Sequence, residues 1–263
     1  MRDPIFDIMK GIGIVAVIVG HSVIPGFLFK FLFIWHMPLF FLIGGYFFSP
    51  KSQRVLYNSI KRSLLLPYAL TALVIISLTG IFRICGLTTN GGVLGYVLGA
   101  LSGSGSFNNP VLFGGHAFIG AIWFLLALAW CRIIYNIFQI WIYSTKKKVL
   151  LIVIVSFFAS VLGKYIFIPS NMIQGTAALV FYCLGNLSRE FHCLETIMNK
   201  KVLFFIISLF LVTIGMMMEP MGMVDNSYQI WPLNVLAALG GAFWFISFLF
   251  ICQSTCWARL YQR

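Results

Sequence analysis

Asp7, Lys10 and His21 fall at intervals that one α-helix would align. At about 100° per residue, Lys10 and His21 differ by only about 20° around the axis and lie about 16 Å apart along it. Asp7 falls within about 60° of Lys10 and about 40° of His21. The three side chains therefore share a narrow stripe, and Gly11, Gly13 and Gly20 thin the helix beside it. Asp7 with Lys10 has an ordinary reading, an interfacial ion pair with a snorkelling lysine. His21 is different, because it sits inside an apolar run, where an ionisable residue marks a functional site by default. The chemistry on offer is ion pairing, hydrogen bonding and proton exchange, an imidazole titrating near neutrality. A second histidine, His36, follows in Trp35–His36–Met37–Pro38–Leu39–Phe40–Phe41. The turn near Pro25–Gly26 makes its helix antiparallel to the first and brings both histidines into the same half of the membrane. Two readings stand for His36, an interhelical hydrogen bond or a catalytic partner of His21.

The elements that must position these residues are membrane spans. Of the 263 residues, 60% are hydrophobic, 17% aromatic and 9% charged, and the mean hydropathy is +0.98. Soluble domains carry about 25% charged residues, so this composition excludes one. It also excludes a disordered chain, which needs low hydrophobicity and high charge, and the 24 glycines lack the three-residue period of collagen. No alternation of period two is present, so a barrel is not expected. At roughly 20 residues per helix, the chain has room for about eight spans. We place them at Ile5 to Val23, Phe27 to Phe48, Ser63 to Phe82, Phe118 to Ile140, Val149 to Phe167, Asn171 to Leu187, Val202 to Met218 and Trp231 to Ile251. The expected fold is an all-α polytopic transmembrane helix bundle, one domain over residues 1–263. Asp3 as N-cap and Pro4 at the first helical position start the first helix. Asp3 and Asp7, with no small-residue cleavage site after them, argue against a cleavable signal.

The net charge of +12 has a topological explanation. Fifteen of the 18 Lys and Arg, from Arg2 and Lys10 to Arg259 and Arg263, fall on one side of the expected spans. Lys30, Arg83 and Lys164 fall on the other, with Glu219 and Asp225. The cationic side is cytoplasmic by the positive-inside rule, which puts both termini there. No nucleic-acid partner is expected, since no run is more basic than Lys146–Lys147–Lys148. The longest loop, about Arg83 to His116, is extracytoplasmic and glycine-rich, and Val93 to Leu101 within it reads as a short helix. None of the six cysteines forms a CxxC, and no metal site is expected.

The motifs resemble a known family. Arg2, Asp7, Lys10, Gly11 and His21 are similar to the opening helix of the acyltransferase 3 family of membrane O-acyltransferases. Its hallmark, Arg or Lys followed after ten residues by His, is Lys10 and His21 here. His36–Met37–Pro38–Leu39–Phe40–Phe41 with Gly45 resembles the second-helix motif. Lys61–Arg62 with Pro67–Tyr68 resembles the basic entry to the third helix. Trp123–Phe124–Leu125 and Phe181–Tyr182–Cys183–Leu184–Gly185 resemble later landmarks. The likeness is nearest to sugar O-acetylases similar to fucose 4-O-acetylase. Family members commonly have ten helices and this sequence offers about eight, so the expectation is either a short member or a chain that lacks an end, with the C-terminal pair absent.

The resemblance implies acyl transfer, commonly of acetyl from acetyl-CoA, to a hydroxyl of a cell-surface or lipid-linked carbohydrate, in a bacterial inner membrane. It implies Lys10, Lys61, Arg62 and Arg132 as ligands of the coenzyme phosphates. His21 becomes the general base or an acyl-histidine nucleophile, His36 its catalytic neighbour, and Asp7 the group that holds Lys10. For Arg132, snorkelling is the alternative. His116 and Trp123 face the acceptor side, where a sugar would meet them, and an interfacial belt is the alternative for Trp123. Two other function classes remain open from the residues alone. One is a proton-coupled carrier using intramembrane His, Asp and Arg. The other is an inactive scaffold, which the short C-terminus suggests.

Overall fold

The computed structural model describes residues 4–87, 92–106, 118–166 and 168–260, with side chains up to 251. Arg2, Asp3, His116, Phe167 and Arg263 lie outside the described residues, as do the side chains of Cys252, Cys256 and Arg259. Among the described residues the architecture is all-α, and each of the eight expected segments is helical. Among the described residues, four stretches are long and apolar enough to cross a membrane: Gly26–Tyr46, Gln53–Ile84, Gly120–Trp141 and Trp231–Ile251. The pair Cys193–Asn199 and Lys201–Met217, bent by 103°, makes a fifth if counted as one span.

The chain forms two compact units. The first comprises 1–48, 181–222 and 228–263. It holds α1 (Pro4–Gly20), α2 (Gly26–Tyr46), most of α9 (Leu179–Glu190), α10 (Cys193–Asn199), α11 (Lys201–Met217) and α12 (Trp231–Leu260). Small residues set its close contacts. A Cβ at Gly45 would run into the Tyr182 carbonyl, and one at Gly185 into the Leu42 carbonyl. Without water between helices, such backbone approach is how packing contact is gained. Trp35 stacks on Phe245 of α12, ring centroids 5.4 Å apart.

The second unit comprises 49–180 and 223–227. It holds α3 (Gln53–Ile60), α4 (Leu66–Ile84), α5 (Val93–Ser102), α6 (Trp123–Trp141), α7 (Thr145–Leu162) and α8 (Met172–Ala177). The short helix expected in the long loop is α5. It is tied to α4 by the Tyr68 hydroxyl, which donates to the Ala100 carbonyl at 2.5 Å. A π-turn over Lys61–Leu65 joins α3 to α4. Its cause is Pro67. In a regular helix the ring would press on the Ser63 carbonyl four residues back. The wider turn instead closes on a bond from the Leu66 N–H to the Lys61 carbonyl.

The expected span from Asn171 to Leu187 is interrupted at Ala178, between α8 and α9. Ser156 of α7, fully buried, inserts into the break. Its hydroxyl donates to the Ala177 carbonyl at 2.9 Å and accepts from the Val180 N–H at 3.0 Å. A side chain inserted into the i to i−4 ladder is a recognised cause of a helix break. Ser156→Ala strands the Val180 N–H and should destabilise the protein by about 1–3 kcal/mol. Unfolding in mixed detergent micelles measures this, and an unchanged transition would show the ladder closing without Ser156.

Candidate functional site

The polar groups of the first unit sit along α1 and α2. Lys10 Nζ lies 3.9 Å from Asp7 Oδ1, both side chains about half exposed. The ammonium also lies 5.2 Å from the centre of the Phe47 ring. Phe47 is held in turn by Phe6, centroid to centroid 4.7 Å. Lys10 therefore keeps a defined position between a carboxylate and an aromatic face, as expected for a cation–π contact. Gly11, one residue on, has open space where a Cβ would stand.

His21 follows the last turn of α1 and is exposed. Its Nδ1 lies 2.8 Å from the Val17 carbonyl. A carbonyl only accepts, so Nδ1 carries the hydrogen. In the neutral ring Nε2 then bears the lone pair, the arrangement a base or nucleophile needs. His36 repeats the device, with Nδ1 2.7 Å from the Leu32 carbonyl, but it is 1% exposed. The two rings flank Phe33, with centroids 5.8 Å from Phe33 for His21 and 4.9 Å for His36. The structure thus brings the two histidines to one aromatic spacer, His21 open and His36 enclosed.

The second unit is electrostatically lopsided. It contains ten Lys and Arg and a single carboxylate, Asp225, which accepts a hydrogen bond from Ser106. Among the described residues no carboxylate pairs with Lys61, Arg62 or Arg132. Lys61 and Arg62 are exposed on the π-turn, a feature that recurs at functional sites. Arg132 of α6 reaches the same region. Its Nη1 donates to Ser63 Oγ at 3.3 Å and its Nη2 to Ser59 Oγ at 3.2 Å. Ser63 Oγ passes the chain on to the Ser59 carbonyl at 2.8 Å. The planar fork is thereby oriented by two neutral hydroxyls and keeps its full charge. Fixed forks of this kind match phosphate and carboxylate geometry.

One turn further, buried Asn136 clasps the backbone of Lys51. Its Oδ1 accepts from the Lys51 N–H at 3.1 Å and its Nδ2 donates to the Lys51 carbonyl at 3.0 Å. Ser59, Ser63 and Asn136 are support that spacing alone did not single out. Trp123, expected on the acceptor side, begins α6 and is 5% exposed. A Cβ at Gly105 would run into the indole and into the Val224 side chain.

The Nδ1 tether at His21 predicts one tautomer. Nitrogen NMR of labelled protein in bilayers should show neutral His21 protonated at Nδ1, and the Nε2–H tautomer would contradict the geometry.

The family model described as an acyltransferase domain, acyltransferase 3, matches residues 3–261. No curated protein and no solved structure matches the chain.

Proposed function

The chain belongs to the acyltransferase 3 family, membrane enzymes of acyl transfer, and from that premise we propose that it O-acetylates a carbohydrate with His21 as the base. The observation that carries this reading is the tethered ring of His21, exposed with its Nε2 lone pair available. The donor in this reading is an acyl-CoA, most simply acetyl-CoA, used as a co-substrate. Nε2 takes the proton of the acceptor hydroxyl as its oxygen attacks the thioester carbonyl. The C–S bond breaks, and the proton goes to the departing thiolate. One ester and one free thiol result. His36 buttresses the His21 end of the pair through Phe33. Asp7 holds Lys10.

The coenzyme carries several phosphates, which need cations without competing carboxylates. Lys61, Arg62 and Arg132 meet that requirement, and Lys10 is the cation on the helix that carries the base. The cationic segments then lie on the cytoplasmic side of a bacterial inner membrane, where acetyl-CoA is found, with both termini on that side. His116 and Trp123 belong to the acceptor side in this reading.

Transfer from labelled acetyl-CoA in vesicles tests the reading. His21→Ala should lower transfer by about 10²–10⁴-fold, and retained transfer would remove His21 from the mechanism. Arg132→Ala and Lys10→Ala should each raise KM for acetyl-CoA by about ten- to a hundredfold with kcat little changed. Lys10→Arg should be tolerated. An unchanged KM in both alanine variants would take the phosphates elsewhere.

A further inference from the structure

The basic run at 146–148 opens α7, and its three lysines are not equivalent. Lys146 and Lys147 are exposed. Lys148 is half-buried, and its Nζ donates to Gln139 Oε1 of α6. Gln139 is held in turn, because its Nε2 donates to the Tyr135 hydroxyl at 2.8 Å. An ammonium only donates and a phenol oxygen can accept, so both ends of the amide are spent in one orientation. Tyr135, 1% exposed, anchors the relay in the core. A lysine that only orients the chain has no need of such a tether, since its stem reaches water from many rotamers.

The tether places Lys148 on the face of α6 that carries Arg132. Gln139 follows Arg132 by seven residues, which puts the two within about 20° around the axis and about 10 Å apart along it. Asn136, on the same face between them, clasps the Lys51 backbone. Arg132 is oriented by Ser59 and Ser63, which flank Lys61 and Arg62 in the chain. One stripe of α6 thus gathers cations from the segment before α3, the π-turn and the start of α7. Every holder is neutral, two hydroxyls and two amides. Of the six acidic residues only Asp225 belongs to this unit, and it accepts from Ser106. Cations that are positioned and left unneutralised by their holders suit an anionic ligand.

The spacing narrows the anion. Charge-assisted bonds of about 2.8 Å on either side of one phosphate do not bridge a separation of about 10 Å. The ligand therefore has two phosphate positions. Coenzyme A has them, a diphosphate and a monoester phosphate on the 3′ oxygen of its ribose. The diphosphate offers paired oxygens to a planar fork, which suits Arg132. The monoester concentrates about −1.5 to −2 charges, which suits the compact ammonium of Lys148.

We propose that Lys148 is a phosphate-binding residue, positioned by Gln139, and that it recognises the ribose 3′-phosphate of the coenzyme while Arg132 takes the diphosphate. This rests on the acyl-CoA reading for its ligand, and adds the means by which CoA is told from its 3′-dephospho form.

Equilibrium binding of CoA and of 3′-dephospho-CoA to the full chain in phosphatidylcholine nanodiscs tests the assignment without any transfer step. The wild type should bind CoA about tenfold more tightly than 3′-dephospho-CoA. Lys148→Gln should bring the two affinities together by weakening CoA alone, and the unchanged affinity for the dephospho form then reports an intact fold. Lys148→Arg should keep most of the preference. Gln139→Leu, which leaves the charge and removes its tether, should cut the preference about threefold. Arg132→Ala should weaken both ligands alike. Equal binding of the two forms by the wild type, or a preference that survives Lys148→Gln, would overturn the role of Lys148 and leave the donor reading standing. Binding of neither form would overturn the donor reading and this assignment together. The preference should persist when phosphatidylglycerol replaces part of the lipid, and its loss there would give Lys148 to an anionic headgroup instead.

Discussion

A peptide group at bilayer depth has no water to bond, and the features that matter most in this protein are the places where a helix departs from its own ladder. Each departure needs a substitute partner, and the substitute fixes a side chain. Pro67 disrupts the entry to α4 and the chain answers with a π-turn over Lys61–Leu65, which carries Lys61 and Arg62. The break at Ala178 is answered by Ser156 from a neighbouring helix. A regular helix would need neither answer and would place neither the cations nor the α8 segment where they are.

The histidines use the same currency in reverse. At His21 and His36 the side chain bonds to a carbonyl of the preceding turn, at Val17 and Leu32. The carbonyl thereby sets the tautomer of the ring. For buried His36 the bond satisfies a polar atom that burial would otherwise penalise. For exposed His21 it leaves the Nε2 lone pair of the neutral ring open. The same local bond thus satisfies an enclosed ring in one residue and fixes the tautomer of an open one in the other.

Much of this was legible in the sequence. The all-α membrane class follows from composition. The short helix of the long loop, observed as α5, was readable from its apolar run between glycines. The parts that were not legible depend on partners distant in sequence. Nothing at Ala178 is a breaker residue, because the cause of the break is Ser156, on another helix. Ser59 and Ser63 look like ordinary helical serines until α6 brings Arg132 against them. Asn136 likewise shows its role only with Lys51 opposite. The burial of His36 and the exposure of His21 could not be separated either, since both occupy apolar runs. The continuous Gln53–Ile84 stretch is longer than the Ser63 to Phe82 span expected, because the π-turn lets the helix pass through Pro67 instead of starting near it.

Charge bias alone cannot distinguish a cation that orients the chain from one that binds a ligand, since both lie on the same side. Conformational restraint can. A topological lysine or arginine needs only to reach water, and its flexible stem does so from many rotamers. Fixing such a side chain costs up to about 2 kcal/mol of rotamer entropy, which orientation in a bilayer gives no reason to spend. Lys146 and Lys147, exposed at the start of α7, fit the first description. Arg132 is restrained instead, because two hydroxyls hold both its Nη atoms while adding no negative charge. A carboxylate in their place would hold the fork better and cancel it. That restraint without neutralisation is what the proposed phosphate-binding role of Arg132 calls for, and it distinguishes this side chain from exposed Lys146 and Lys147.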